Sequence, residues 1–74
     1  MNIIEEIRKK LIKEIKQSGI TQKTIAQAIG IKQPTLTQYI KGKCMPALDT
    51  FAKICKFLDL DANDILCINI INIE

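Results

Sequence analysis

The sequence predicts an all-α domain of five short helices. Three observations carry this prediction: apolar residues recur at three- and four-residue spacing, glycine or proline separates the helical segments, and strand-like patterns are weak up to residue 66. A chain of 74 residues is long enough for only one hydrophobic core, so the five helices belong to one domain. A content of 47% hydrophobic and 26% charged residues is typical of a globular protein.

The first two helices are predicted from an apolar stripe and from their end signals. The stripe of the first helix comprises Ile4, Ile7, Leu11 and Ile15. Gly19 ends this helix, since glycine readily adopts the left-handed conformation found after helix ends. Thr21 is a good N-cap for a second helix at about residues 22–29, and Gly30 ends it.

The third and fourth helices each begin near a proline. Pro34 lies in the first turn of a helix at about residues 33–41, where its missing N–H does no harm. Pro46 marks the start of the fourth helix, whose cap is weak because Ala47 has no polar side chain. The apolar face of the fourth helix comprises Leu48, Phe51, Ile54, Cys55 and Leu58.

The chain ends in a segment of different composition. Asp61 caps a short fifth helix with Ile65 and Leu66 facing inward, which completes a domain at residues 1–66. Residues 67–74 then form a short, β-prone apolar C-terminal tail. In an extended tail Ile68 and Ile70 lie on one face, and Ile71 and Ile73 on the other. Two interpretations stay open: the tail pairs with the same segment of a second chain, or it continues the last helix.

The charges are unevenly distributed. Residues 15–48 contain five lysines and no acid, whereas residues 1–14 carry a net charge of +1 and residues 49–74 of −3. An acid-free segment indicates either a face that meets an anion or a solvated surface that happens to lack acids.

The composition argues against several classes of function. No apolar run of 18 residues is present, so we expect no membrane-spanning helix. The chain has no histidine and no Cys-x-x-Cys pair, so we expect no enzyme activity, no metal and no cofactor. We expect Cys44 in a loop, Cys55 in the core of the fourth helix and Cys67 near the end, in a reducing compartment.

The strongest pattern lies between Gln22 and Lys41. It consists of two short helices joined by a tight turn at Gly30, and Ala26 is small enough for the helices to cross closely. The apolar positions that bury the pair are Ile25, Ile29, Ile31, Leu36 and Tyr39. This is the pattern of a helix-turn-helix.

At these positions the chain resembles the Cro/lambda-repressor-like (XRE-type) helix-turn-helix family of bacterial and phage transcriptional regulators, over about residues 5–66. The residues that carry the resemblance are Gly19-Ile-Thr-Gln22, Ile25-Ala26, Ala28-Ile-Gly-Ile31, Gln33, Thr35-Leu36, Lys41-Gly-Lys43, Pro46 and the stretch from Phe51 to Leu66. The resemblance implies a five-helix DNA-binding domain, usually dimeric, that recognises a two-fold operator. It also implies a cytoplasmic protein of bacterial or phage origin, associated with the nucleoid when bound.

The resemblance assigns DNA contacts position by position. The positions that would read bases are Lys32, Gln33, Pro34, Thr37 and Gln38. Those that would contact phosphates are Gln22, Lys23, Thr35, Lys41, Gly42 and Lys43. In the family, the residue at the position of Gln22 also contacts and orients the first residue of the third helix, which is the recognition helix that reads the DNA. Helical spacing independently places residues 33, 37 and 41 on one stripe, with residues 34 and 38 beside it.

Two departures from the family pattern affect function. Pro34 replaces a typically polar residue and exchanges a polar base contact for an apolar one. Ile40 stands where Glu is common, which removes an acid near the DNA and leaves an apolar side chain that we expect to be exposed. Together with the apolar tail, Ile40 favours the alternative function, a protein-interaction module such as an antitoxin or an adaptor.

Overall fold

The computed structural model describes residues 2–68, which contain five helices and no strand. The helices are α1 (Ile3–Gln17), α2 (Gln22–Ile29), α3 (Gln33–Ile40), α4 (Leu48–Leu58) and α5 (Ala62–Ile65). The predicted all-α class is confirmed. Within the described range no helix is long and apolar enough to cross a membrane.

Side chains cap three of the five helices. Thr21 and Asp61 accept hydrogen bonds from the first turns of α2 and α5, as predicted, and Asn2 does the same for α1. Ala47 provides no side-chain cap for α4, as predicted, although Asp49 Oδ1 accepts a hydrogen bond from the Thr50 N–H in the first turn at 2.9 Å. Each cap fixes the residue at which its helix begins, because it satisfies backbone donors that have no partner inside the helix.

The core is assembled from all five helices. Its buried members are Leu11, Ile15, Ile25, Ala26, Ile29, Leu36, Phe51, Ile54, Cys55 and Ile65. Helix α2 packs against both α3 and α4, while α1 contacts α3 and α5. Lys10 joins α1 to α5, since its Nζ donates to the backbone oxygen of Asp64 at 3.1 Å and lies 3.6 Å from the Oδ1 of that residue.

Two predictions about single apolar residues are wrong. Leu48 does not contribute to the buried face of α4, because it is the first residue of the helix and lies a turn before Phe51; it is 81% exposed. Ile40 is not an exposed departure from the family pattern. It is partly buried and packs against the core, one helical turn after the fully buried Leu36.

The fifth helix ends in a defined turn. Cys67 has a φ of 61°, and its N–H donates to the oxygen of Asp64, while the N–H of Ile68 donates to the oxygen of Asn63. This pair of bonds is the Schellman arrangement that terminates helices. Helix α5 therefore ends before Cys67, and Ile68 is 60% exposed. The predicted dimer residues Ile70, Ile71 and Ile73 lie outside the described residues.

Candidate nucleic-acid interface

Helix α3 has a polar outer side and an apolar inner side. Leu36 is fully buried on the inner side, with Tyr39 and Ile40 packed against the core next to it. The residues predicted to read bases lie on the outer side: Lys32, Gln33, Pro34 and Gln38 are exposed, and Thr37 is half-buried. The outer residues can therefore reach a ligand while the inner residues hold the helix to the domain.

Four of these outer residues line one shallow depression. Gln33, Pro34, Thr37 and Gln38 surround a volume of about 350 Å³, which we call the α3 depression. Its walls carry two amides, one hydroxyl and one apolar ring, and no formal charge. Amide and hydroxyl groups both donate and accept hydrogen bonds, so such a surface suits the mixed donor and acceptor pattern of base edges.

A hydrogen bond connects the depression to α2. The Thr37 hydroxyl donates to Oε1 of Gln22 at 2.9 Å, and the backbone oxygen of Gln33 lies 3.1 Å from the same hydroxyl. The family pattern points to a brace on the first residue of α3. Here Gln22 instead holds Thr37, one helical turn further on. The bond therefore links the outer side of α3 to the start of α2.

Exposed lysines precede and follow α3 in the chain. Lys32 precedes α3 as its N-cap residue and makes no capping hydrogen bond, while Lys41 and Lys43 follow the helix. These three lysines and Lys23 on α2 are exposed. Because residues 15–48 contain no acid, none of that segment's side chains offsets these charges. The arrangement attracts an anion to both ends of α3.

Arg8 contacts the loop after α3, which the sequence does not indicate. Its Cδ lies 3.1 Å from the position that a Cβ on residue 42 would occupy, so the arginine stem packs directly against Gly42. The guanidinium is paired with Glu5, and among the described residues its buried Nε has no hydrogen-bond partner. Arg8 of α1 thus packs against the loop after α3 and helps to hold it in place. The two residues are 34 positions apart, so periodicity gives no signal for this contact.

Tyr39 faces the interior of the domain, as predicted, and not the outer surface of α3. Burial raises the pKa of its phenol, and the nearby Cys44 and Asp49 raise it further. The ring is partly buried and packs against the core, with Cys44 of the loop after α3 and Asp49 of α4 near its hydroxyl. A base-stacking role does not fit this position.

The cysteines and acids form no metal site in the part of the chain that the structure describes. No group of three or more His, Cys, Asp or Glu side chains within residues 2–68 can hold a metal ion. Cys44 is exposed, Cys55 is buried and Cys67 is half-buried. Cys55 belongs to the core, and its burial raises the pKa of its thiol, which disfavours the reactive thiolate.

Comparison with known families agrees with this geometry. A family model described as helix-turn-helix, that of the XRE/Cro-type domain, matches residues 4–65. The match spans most of the chain, so the protein belongs to this family of DNA-binding regulators. Neither a curated protein nor a solved structure matches the chain.

Proposed function

We propose that the protein binds double-stranded DNA in a sequence-specific way, with α3 in the major groove, and represses transcription as a homodimer at a pseudo-palindromic operator. The α3 depression carries the proposal: its uncharged polar side chains are flanked by lysines on an acid-free segment. Uncharged polar groups suit the reading of bases, whereas lysines suit contacts with phosphates.

The base-reading roles follow from the chemistry of each side chain. The Gln33 amide suits a bidentate pair with N6 and N7 of adenine, and the Pro34 ring suits a thymine methyl group. The hydroxyl hydrogen of Thr37 is occupied by Gln22, so Thr37 offers only acceptor lone pairs to an amino group of a base. Gln38 and Lys32 are the other two residues that we propose to contact bases.

The phosphate contacts supply affinity without sequence preference. We assign them to Gln22, Lys23, Thr35, Lys41, Gly42 and Lys43. Each cation that neutralises a phosphate releases counterions, so this part of the binding weakens steeply as salt rises. Lys41 and Lys43 act together with the backbone of Gly42, which Arg8 supports from inside the domain.

The dimer is part of the proposal because a pseudo-palindrome needs two copies related by a two-fold axis. The two recognition helices would then lie about 34–36 Å apart, in successive major grooves. Sedimentation equilibrium at tens of micromolar tests this part separately. A chain that stays monomeric, both alone and on its operator, would contradict it.

We place the protein in a bacterial cytoplasm, on the nucleoid when bound.

The test is an in vitro selection of random duplex DNA by the purified chain at near-physiological salt. An enriched pseudo-palindrome with half-sites about 34–36 Å apart is the expected result. Recovery of DNA without a shared sequence, and with binding that is lost as salt rises, would contradict sequence-specific recognition.

A protein-interaction module, such as an antitoxin or an adaptor, is the second candidate. Ile40 no longer supports it, because that side chain packs against the core. The exposed Phe57 does support it, since this aromatic ring is 40% exposed on α4. A gene for a small toxin next to the coding sequence would favour this candidate over a repressor.

A further inference from the structure

Apart from the α3 depression, the described surface has a groove between α2 and α4. It has a volume of about 400 Å³ and is lined by Ala28, Ile29, Lys53, Lys56 and Phe57, and we call it the α2–α4 groove. It shares no residue with the α3 depression or with the predicted phosphate contacts. Its volume lies in the range of cavities that hold ligands, and its open form suits side chains of a docked segment.

Phe57 gives the groove its apolar character. The buried side of α4 is formed by Phe51, Ile54 and Cys55, and Phe57 lies outside that stripe, with 40% of its surface exposed. Ile29 forms an almost fully buried floor beside it. Phenylalanine is enriched in protein interfaces, where a partner removes the exposed ring from water.

The charge of the groove identifies the kind of partner. Residues 49–74 contain five acids and only two basic residues, Lys53 and Lys56, and both of these line the groove with Phe57. No acid is among the lining residues. A cationic, apolar surface is complementary to a segment that carries carboxylates next to an apolar side chain.

DNA does not fit this surface well, and neither does the start of α4 in a second copy of the chain. A phosphate backbone would pair with the lysines but offers no apolar side chain to cover Phe57. Within the described residues, exposed segments that place an apolar side chain next to an acid are Leu48-Asp49 at the start of α4 and Ile4-Glu5 at the start of α1. Leu48 and Phe57 are nine residues apart, which places them on opposite sides of the helix. Two patches on opposite sides of one helix cannot both face one partner, so a closed, reciprocal dimer cannot use them.

We propose that the α2–α4 groove binds an acidic segment of a second, different protein, which places an apolar side chain against Phe57 and carboxylates beside Lys53 and Lys56. This binding does not depend on DNA recognition. A DNA-bound copy would keep the groove accessible, because the residues that line it are separate from those assigned to DNA.

The test uses the full chain and a library of random peptides of about 12 residues displayed on phage. We expect the enriched peptides to share acidic residues next to a leucine or an aromatic residue. Their synthetic versions should bind the wild-type chain about tenfold or more tightly than they bind Phe57→Ser. The charge reversal Lys53→Glu with Lys56→Glu should cause a similar loss without altering the packing of the core.

Leu48→Ser is the matched control, because it removes an exposed apolar side chain from the opposite side of α4. It should leave peptide binding unchanged. All variants should keep the helical circular dichroism of the wild type, and Phe57→Ser and Leu48→Ser should also keep its DNA affinity. Enriched peptides without acids, or equal binding to wild type and Phe57→Ser, would overturn the proposal. Self-association of the wild type that Phe57→Ser abolishes would also overturn it, in favour of a second copy as the occupant.

Discussion

The hydroxyl of Thr37 donates to the side-chain oxygen of Gln22 across 2.9 Å, and this bond joins the two helices of the helix-turn-helix. Gln22 lies at the start of α2 and Thr37 in the middle of α3, so this contact adds a polar link to the apolar packing that holds α3 to the domain. The same hydroxyl lies 3.1 Å from the backbone oxygen of Gln33. Thr37 is therefore a structural residue as well as a candidate base contact.

Replacing Thr37 with valine tests the structural role of this bond. Valine has nearly the same shape but no donor, so Gln22 loses its partner, and we expect the free energy of unfolding to fall by about 1 kcal/mol. Urea denaturation of the DNA-free chain measures the change. Thr35→Val is the matched control, since the Thr35 hydroxyl makes no hydrogen bond within the described residues, and an equal loss in both variants would contradict the role of the bond.

The contact between Arg8 and Gly42 leads to a second prediction. Gly30 and Gly42 both have a left-handed φ, but a Cβ on residue 30 meets nothing within 4 Å, whereas one on residue 42 meets the Arg8 side chain at 3.1 Å. We expect Gly30→Ala to lower the free energy of unfolding by about 1–2 kcal/mol, from conformation alone. Gly42→Ala should cost more in the same urea titration.

The excess cost at Gly42 should disappear when the arginine is shortened. In a double-mutant cycle, Gly42→Ala measured in an Arg8→Ala background should cost about as much as Gly30→Ala. If Gly42→Ala and Gly30→Ala cost the same in the wild-type background, the Arg8 side chain moves away from the new methyl group without loss of stability. The loop after α3 would then not depend on it.

The end of α4 offers a stabilising substitution. Asp59 has a φ of 56°, in the region that glycine adopts without steric cost. We expect Asp59→Gly to raise the free energy of unfolding by about 0.5–1 kcal/mol, measured from the shift of the urea midpoint. Asp59→Ala separates conformation from charge, because it removes the carboxylate but keeps the strain. A gain in the alanine variant equal to that in the glycine variant would assign the effect to charge.

Cys55 predicts how stability depends on alkaline pH. Burial raises the pKa of its thiol above the ordinary value of 9.0, so the folded state keeps this proton to a higher pH than the unfolded state does. The corresponding stability is complete below about pH 9 and is lost as pH rises through the folded-state pKa. We expect Cys55→Ala to show a shallower decline in unfolding free energy between about pH 8.5 and 10 than the wild type.

The matched control for this prediction is the exposed Cys44. Its thiol is exposed, whereas that of Cys55 is buried. In thiol labelling of the native wild type, Cys44 should react first and Cys55 last. Rapid labelling of Cys55 without unfolding would contradict its burial in the core.

The sequence predicts helix positions well where local chemistry decides them. Thr21, Gly30 and Asp61 act on the backbone next to them, so their positions alone indicate where helices begin or end. The polar stripe of α3 is equally predictable, since helical spacing determines which side of a helix each residue occupies. The helix-turn-helix family model that matches residues 4–65 agrees with these local predictions.

Contacts between distant segments are not predictable in this way. The packing of Arg8 against Gly42 depends on how α1 crosses the loop after α3, and periodicity carries no information about crossings. Leu48 has the right spacing for the apolar face of α4 but lies beyond the end of the core. Whether an apolar position is buried depends on where the neighbouring helices end, which spacing within one helix does not reveal.

In the function that we propose, the outer side of α3 selects bases, and Gln33 is one of the residues that read them. Parallel in vitro selections with the wild-type and Gln33→Ala chains test it most directly. We expect the variant to lose its preference at one base position in each half-site, at a cost of about 1–3 kcal/mol there, while the remaining positions keep their sequence. An unchanged consensus, or a uniform loss of binding to all sequences, would contradict the assignment of α3 as the reading helix.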